Sequence, residues 1–288
     1  MTNLGHLHPV GDRKLWLHHE PGDAAPTVVF LPGAGLVGLD FLAAQRRTPS
    51  AVLYDRAGTG WSSSVPLPRS AAAVAEELRE LLRVAGIAGP VILAGHSLGA
   101  FYARRYAQLF PAEVAGLLLI DPGHEDIFDF LPPEARELDA EIKRQTGDLP
   151  ELTDEQRRIA TGQYAQLYAE WPAAERAALT AYHLDRWRIA VDETRNFDTE
   201  IYAELRAGGP LPDVPLLVLT AGGHNPVWQH FADEDLVSRA HAGIDAMHRA
   251  MVAAVPRGEH QVVPGAAHGY LPIQHPAAIA DAVSRLRP

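Results

Sequence analysis

The run Gly95-His96-Ser97-Leu98-Gly99 constrains the fold of this chain more than any other stretch of its sequence. The apolar residues 90–94 before it predict a buried β-strand, and residues 100–110 after it predict an α-helix. A strand and a helix joined by so short a turn hold the serine in a strained conformation, and the two glycines supply the room. The sequence therefore predicts a serine hydroxyl exposed above a sheet, with the first NH groups of the helix aimed at it.

The rest of the chain supplies the sheet that this turn requires. Short apolar runs alternate with amphipathic stretches, which is the pattern of a mostly parallel sheet covered by helices. In residues 70–85 the leucines share one face and Ser70 is placed to cap the helix. The other predicted strands are residues 27–31, 51–54, 114–120, 215–220 and 259–263, and the other predicted helices are residues 233–255 and 276–286.

One long segment interrupts the alternation. Residues 122–212 are rich in Ala, Glu, Arg, Trp and Tyr and contain no convincing strand signal. The sequence therefore predicts a core of residues 1–121 and 213–288 with an all-helical insertion, residues 122–212, between its two parts.

This order of strand, sharp serine turn, helix, helical insertion and late histidine resembles the lid-bearing serine hydrolases of the α/β-hydrolase superfamily. The segment Tyr54-Asp55-Arg56-Ala57-Gly58-Thr59-Gly60-Trp61-Ser62 is similar to the Asp-Arg-x-Gly-x-Gly-x-Ser segment of that superfamily. The resemblance implies an α/β fold with a mostly parallel central sheet flanked by helices, and an inserted all-helical cap. It also implies that Ser97 is a nucleophile toward an acyl carbon.

The run Leu31-Pro32-Gly33-Ala34-Gly35 occupies the position of the superfamily's oxyanion loop, with Pro32 in place of its usual histidine. Acyl transfer places negative charge on the former carbonyl oxygen, which two fixed NH groups can stabilise. By position, the resemblance assigns these donors to Ala34 and Leu98.

A serine hydroxyl needs a base to remove its proton, and the chain has 14 histidines from which to supply one. His268 is predicted to be that base, because it follows the last strand and precedes the closing helix, where the superfamily delivers its histidine. His275 is expected to face solvent. The histidines near the start of the chain lack the spacing of a metal site, so no metal is predicted.

The acid that orients the histidine is where the sequence departs from the superfamily pattern. The loop after strand 215–220 carries Asn225 where a carboxylate is usual, and an amide cannot balance the charge of an imidazolium. Some members take the acid from the end of the strand after the serine helix, and Asp121 lies there. We therefore predict Asp121 as the acid, with a helix cap or a loop anchor for the insertion as its alternative role. Other candidates are Asp126, Asp233, Asp245 and Asn225.

The predicted substrate is a small molecule that carries an uncharged or modestly polar acyl ester, thioester or lactone, since no cationic clamp is evident. His124, His224 and Trp228 are predicted to contact it. The aromatic residues of the insertion either line a pocket or pack its helices together: Tyr164, Tyr168, Trp171, Tyr182, Trp187 and Tyr202.

Composition removes several classes of function. The chain has no cysteine, which excludes disulfides, thiolate metal sites and a cysteine nucleophile. Its formal net charge of −11 is not accompanied by a basic stripe, so nucleic acid is not an expected partner. No stretch is apolar enough to span a membrane and no secretory signal is evident, so the expected location is the cytoplasm. No cofactor is predicted, and the sequence is silent on oligomeric state.

Two other uses of the same site stay open. A lyase, cyclase or acyl transferase could use Ser97 and His268 without water as the acceptor. A ligand receptor could keep the fold with little turnover, and the missing carboxylate after strand 215–220 favours this reading slightly.

Overall fold

The fold is described from a computed structural model, which covers residues 4–147 and 150–287. Within them the eight strands are β1 (His6–Val10), β2 (Arg13–Glu20), β3 (Val28–Leu31), β4 (Ala51–Tyr54), β5 (Val91–His96), β6 (Val114–Ile120), β7 (Leu216–Ala221) and β8 (Gly258–Val263). The helices are α1 (Leu42–Gln45), α2 (Ala71–Val84), α3 (Leu98–Leu109), α4 (Glu134–Gly147), α5 (Asp154–Leu167), α6 (Ala173–Asp185), α7 (Ile189–Thr194), α8 (Tyr202–Ala207), α9 (Pro226–Phe231), α10 (Glu234–Ala253), α11 (Leu271–Gln274) and α12 (Pro276–Leu286).

The strands form one sheet in the order β1-β2-β4-β3-β5-β6-β7-β8. The pairs β1–β2 and β2–β4 are antiparallel. From β4 to β8 every pair of neighbouring strands is parallel. The prediction of a mostly parallel sheet flanked by helices is therefore confirmed. Each predicted strand is present, with ends that move by no more than two residues.

The hairpin of β1 and β2 is absent from the sequence prediction. β1 contains Pro9 and is mostly exposed, and only the middle of β2 is buried. An exposed strand has no apolar run to reveal it, whereas a strand buried on both faces does.

The two faces of the sheet hold separate halves of the core. Along β3, Val29 and Leu31 pack with residues of α2 and α3 on one face, while Val28 and Phe30 pack with residues of α12 on the other. This alternation follows from the two-residue period of a strand. The predicted cap at the start of α2 is also present, because the Ser70 side chain accepts a hydrogen bond from the NH of Ala73.

Residues 122–212, which we call the helical segment, contain α4 to α8 and no strand in their described part. Several of the aromatic residues of the helical segment bind it to the core. The Tyr168 hydroxyl donates to Asp40 at 2.6 Å, and the Trp171 indole NH donates to the carbonyl of Leu39 at 2.9 Å. The division into three ranges stays a prediction.

None of the helices in the described part of the chain has the length and hydropathy needed to cross a membrane. The cytoplasmic location stays a prediction.

The parallel order places the carboxyl ends of three strands side by side. His96, the last residue of β5, pairs with Ile120 of β6, which in turn pairs with Leu219 of β7. The residues that follow these strands therefore meet at one edge of the sheet, where open α/β sheets bind their ligands.

The turn from β5 to α3 depends on close packing of backbone against backbone. A Cβ added at Gly99 would lie 2.0 Å from the carbonyl oxygen of Leu31, the last residue of β3. We expect Gly99→Ala to lower the free energy of unfolding by about 3 kcal/mol, because neither backbone segment can move aside.

Urea denaturation checks this prediction, and Gly162→Ala is its matched control. Gly162 lies in α5 with nothing near the added methyl group, so that variant should gain up to about 1 kcal/mol from helix propensity. Equal stability of the two variants would contradict the packing account.

Candidate active site

Ser97 lies on the sharp turn between β5 and α3. Its backbone has φ 50° and ψ −114°, which is a costly conformation for a residue with a side chain. The NH of Ser97 donates to the carbonyl of Ile120 at 3.1 Å, so the turn is tied to the end of β6. The sequence predicted this strained turn, and the structure contains it.

His268 follows β8 and lies between Ser97 and Asp121. Its Nε2 is 3.1 Å from the Ser97 Oγ, and its Nδ1 is 2.6 Å from Oδ2 of Asp121. An ionised carboxylate only accepts, so Nδ1 carries the proton and the lone pair of Nε2 faces the serine hydroxyl. The three residues thus form one hydrogen-bonded chain.

Asp121 is fixed in position by burial and by hydrogen bonds at both carboxylate oxygens. It is buried, it follows β6 with φ 44°, and its second oxygen, Oδ1, accepts a hydrogen bond from the NH of Ala221 at 2.9 Å. Both carboxylate oxygens therefore have fixed partners. Asp121 thus both anchors the backbone at the end of β7 and contacts His268.

The other candidates for the acid are occupied elsewhere. Asp126 pairs with Arg206 at 2.8 Å, and Asp233 caps α10. Asp245 pairs with Arg249 at 2.7 Å. The side chain of Asn225 accepts a hydrogen bond from the NH of Val227 and caps α9. Among these candidates the structure places Asp121 beside Nδ1 of His268.

Asp121 and His268 shift each other's pKa values in opposite directions. Burial raises the pKa of Asp121, but the hydrogen bond and the charge of His268 outweigh it, so that its pKa lies below the ordinary value. Burial likewise lowers the pKa of His268, and Asp121 outweighs it, so that its pKa lies above 6.5. The carboxylate is therefore ionised whenever the histidine can act as a base.

The two predicted oxyanion donors belong to segments that pack against each other, since a Cβ added at Gly99 would lie 2.8 Å from the carbonyl oxygen of Pro32. Leu98 is the first residue of α3, and Ala34 follows β3 in the loop Pro32-Gly33-Ala34-Gly35, which we call the Ala34 loop. In the described part of the chain the NH groups of Leu98 and Ala34 have no protein acceptor. The two NH groups after Ala34, those of Gly35 and Leu36, each donate to a protein oxygen. Both NH groups are therefore free to donate to a bound molecule.

A cavity of about 530 Å³ opens onto Ser97, Asp121 and His268. Most of its wall is apolar and comes from α3, α10 and the helical segment, including Phe101, Phe128, Leu131, Ile244 and Met247. This is a volume suited to a small organic molecule.

Of the three residues predicted to contact substrate, Trp228 lines this cavity, and so does Asn225. The structure does not bring His124 or His224 to the cavity wall. Nδ1 of His124 accepts a hydrogen bond from the NH of Asp126, and the His224 ring lies against that of His241. Among the aromatic residues of the helical segment singled out in the sequence, Tyr202 lines the cavity.

His96 is a site residue that the sequence reasoning missed. It is buried beside Ser97, and its Nε2 donates to the carbonyl of His268 at 2.8 Å. Burial lowers the pKa of His96 to about 3, so the ring stays neutral and holds the backbone of His268 without competing as a base. In the sequence, the one feature that could have pointed to His96 is its position directly before Ser97.

Comparisons with known proteins identify the family and the fold. A family model described as the alpha/beta hydrolase family matches residues 28–282. The human (lyso)-N-acylphosphatidylethanolamine lipase is 31% identical over 145 residues, which is 45% of this chain and 40% of the lipase. The uncharacterised protein YqjL of Bacillus subtilis is 31% identical over 121 residues, 40% of this chain and 48% of that protein. The matches thus span less than half the length of these relatives.

Among solved structures, a thermophilic esterase from Thermogutta terrifontis superimposes with a TM-score of 0.62 at 18% identity. The alignment covers 98% of this chain and 97% of the esterase. At this level of identity the likeness establishes the fold.

The pKa shifts predict how any reaction in which His268 serves as the base depends on pH. An imidazole accepts a proton only when neutral, so the rate of such a reaction should fall as pH drops through a pKa raised above the ordinary histidine value. Asp121→Asn removes the interaction that raises this pKa. The acidic limb should then move to lower pH, and the plateau should fall by about ten-thousand-fold because the charged histidine is no longer stabilised.

A profile of kcat/KM against pH for both proteins tests this, with Asp126→Asn as the control that removes a carboxylate five residues further along the chain. An unchanged acidic limb in Asp121→Asn would contradict the assignment.

Proposed function

Because the chain belongs to the alpha/beta hydrolase family, we propose that it is a serine hydrolase that cleaves acyl esters, thioesters or lactones through an acyl-enzyme at Ser97. The observation that carries the proposal is the hydrogen-bonded chain from Ser97 through His268 to Asp121, which opens onto an apolar cavity. Serine, histidine and carboxylate in this order form the arrangement that activates a hydroxyl for acyl transfer.

In the first half of the reaction the Ser97 Oγ attacks the acyl carbon and its proton passes to Nε2 of His268. The carbonyl electron pair moves onto oxygen, and Asp121 stabilises the imidazolium. When that pair returns, the alcohol or thiol departs and takes the proton from Nε2. The acyl group is left as an ester of Ser97.

In the second half water replaces the departed alcohol. It gives a proton to Nε2 of His268 while its oxygen attacks the acyl carbon, and Ser97 Oγ then leaves with that proton. The products are the free carboxylic acid and the regenerated serine, so no other reactant is required.

The NH groups of Ala34 and Leu98 are the proposed oxyanion donors in both halves. Leu98 follows Ser97 directly, Ala34 lies in the loop after β3, and neither NH has an acceptor in the described part of the chain. A donor already in place costs no reorganisation when charge develops on the oxygen, and losing one such donor typically costs about 100- to 1,000-fold in kcat.

The cavity supports a largely uncharged substrate of small size. Two cations contribute to its wall, and each is already paired. Lys143 lies 2.9 Å from Asp139 and 3.0 Å from Asp198, and Arg195 lies 2.8 Å from Asp192. Neither is left to bind a substrate carboxylate. We further propose that the helical segment is a cap, since it supplies much of the wall of the cavity that opens onto Ser97.

A fluorophosphonate probe followed by intact mass measurement tests the proposed nucleophile. The wild type should gain one adduct and Ser97→Ala none. Ser284→Ala, which removes an exposed serine hydroxyl on α12, should gain one adduct as the wild type does. An adduct that survives Ser97→Ala would contradict the proposal.

Hydrolysis is tested separately with a panel of acyl esters, thioesters and lactones of varied chain length. A hydrolase should release acid from at least one of them in a reaction lost in Ser97→Ala. A protein that takes the probe but releases no acid would favour a lyase, a cyclase or a receptor.

A further inference from the structure

A buried ion pair joins the helical segment to the loop that carries Ala34. Nε of Arg56 donates to Oε1 of Glu193 at 2.5 Å, and their side chains are 2% and 1% exposed. Arg56 follows β4, whereas Glu193 lies on α7, 137 residues further along the chain. A buried charge needs a complete set of partners, so the groups around this pair are informative.

Other hydrogen-bonding groups of Arg56 and Glu193 bind the Ala34 loop. Nη1 of Arg56 donates to the carbonyl of Pro32 at 2.8 Å, and Nη2 donates to the carbonyl of Gly33 at 2.9 Å. Oε2 of Glu193 accepts a hydrogen bond from the NH of Gly35 at 2.9 Å. Together the two side chains hold backbone groups on both sides of Ala34.

These contacts fix the direction of the Ala34 NH through the planarity of the peptide group. The carbonyl of Gly33 and the NH of Ala34 belong to one trans peptide and point in opposite directions. Holding the carbonyl toward Arg56 therefore turns the NH away from Arg56. The next peptide is fixed in the same way, because Glu193 holds the NH of Gly35.

The helix that carries Glu193 also meets the cavity. Val191 and Thr194, on either side of Glu193 in α7, line the cavity that opens onto Ser97. A displacement of α7 would thus move both the cavity wall and the carboxylate that holds the Ala34 loop.

We infer that Arg56 and Glu193 are positioning residues that orient the Ala34 NH toward the oxyanion, so that the oxyanion site is complete only while α7 is seated on the core. The inference rests on the proposed function and deepens it. It assigns a catalytic consequence to a contact between the helical segment and the core.

The test measures how fast a fluorophosphonate phosphonylates Ser97, because the phosphonyl oxygen needs the same donors as the acyl oxygen. Glu193→Gln keeps the shape of the side chain but removes the charge that Arg56 and the NH of Gly35 share. We expect the maximal rate of phosphonylation to fall about 10- to 100-fold, part of the cost of losing a donor outright. The concentration of probe at half-maximal rate should stay unchanged.

Tyr168→Phe is the matched control, since it removes another buried contact between the helical segment and the core, at Asp40, without touching the Ala34 loop. Thermal unfolding of both variants shows how much stability each one loses. Tyr168→Phe should keep the wild-type rate of phosphonylation even where its loss of stability matches that of Glu193→Gln. If Glu193→Gln fails to fold, Glu193→Asp carries the same test, because the shorter carboxylate keeps the charge but cannot reach both partners.

The outcomes separate the two proposals. Wild-type labelling at Ser97 with a normal maximal rate in folded Glu193→Gln, or in Glu193→Asp where that variant is used, would overturn the positioning role and leave the serine hydrolase intact. An equal loss of rate in Tyr168→Phe would also overturn it, because any loosening of the helical segment would then suffice. A wild type that takes no label at Ser97 would overturn the proposed function, and this inference with it.

Discussion

The contact between Gly99 and the end of β3 is the constraint on which the site depends. With no side chain at Gly99, the start of α3 lies directly against the carbonyl of Leu31, and the Ala34 loop begins one residue later. The same contact therefore brings together the turn that presents Ser97 and the loop that presents the NH of Ala34. Backbone packing sets this geometry, and backbone groups are the least able to rearrange when charge develops.

Around this backbone contact, hydrogen bonds fix the polar groups of the site. Asp121 orients the ring of His268, and His96 holds the backbone of the same residue. The NH of Ala221 in turn fixes Asp121, and Arg56 and Glu193 fix the Ala34 loop. Two strained backbones, at Ser97 and Asp121, persist because neighbouring strands hold them in place.

The sequence predicted most of the sheet because β3 to β8 alternate with helices, and because all but β8 are largely apolar and buried. It missed β1, which is mostly exposed, and β2, whose apolar run is limited to Leu15-Trp16-Leu17. It singled out Ser97 from the pattern of strand, turn and helix, and His268 and Asp121 from the resemblance to the superfamily, and the structure brings these three side chains together. The alternation of strands and helices and that resemblance together indicated where the site lies.

What the sequence could not predict are contacts between distant segments. Nothing near Glu193 distinguishes it from the other acidic residues of the helical segment, and its partners Gly35 and Arg56 lie more than a hundred residues away. His124 stood beside Asp121 in sequence, yet the chain turns its ring away from the cavity. Proximity along the chain is therefore a weak guide to which side chains of a loop reach the cavity.

A crystal structure of the protein after reaction with a fluorophosphonate tests the central claim most directly. The account predicts phosphorus bonded to the Ser97 Oγ, with the phosphonyl oxygen about 2.7–3.1 Å from the NH groups of Ala34 and Leu98. His268 should remain between Ser97 and Asp121. Phosphorus on another residue, or a phosphonyl oxygen directed away from both NH groups, would contradict it.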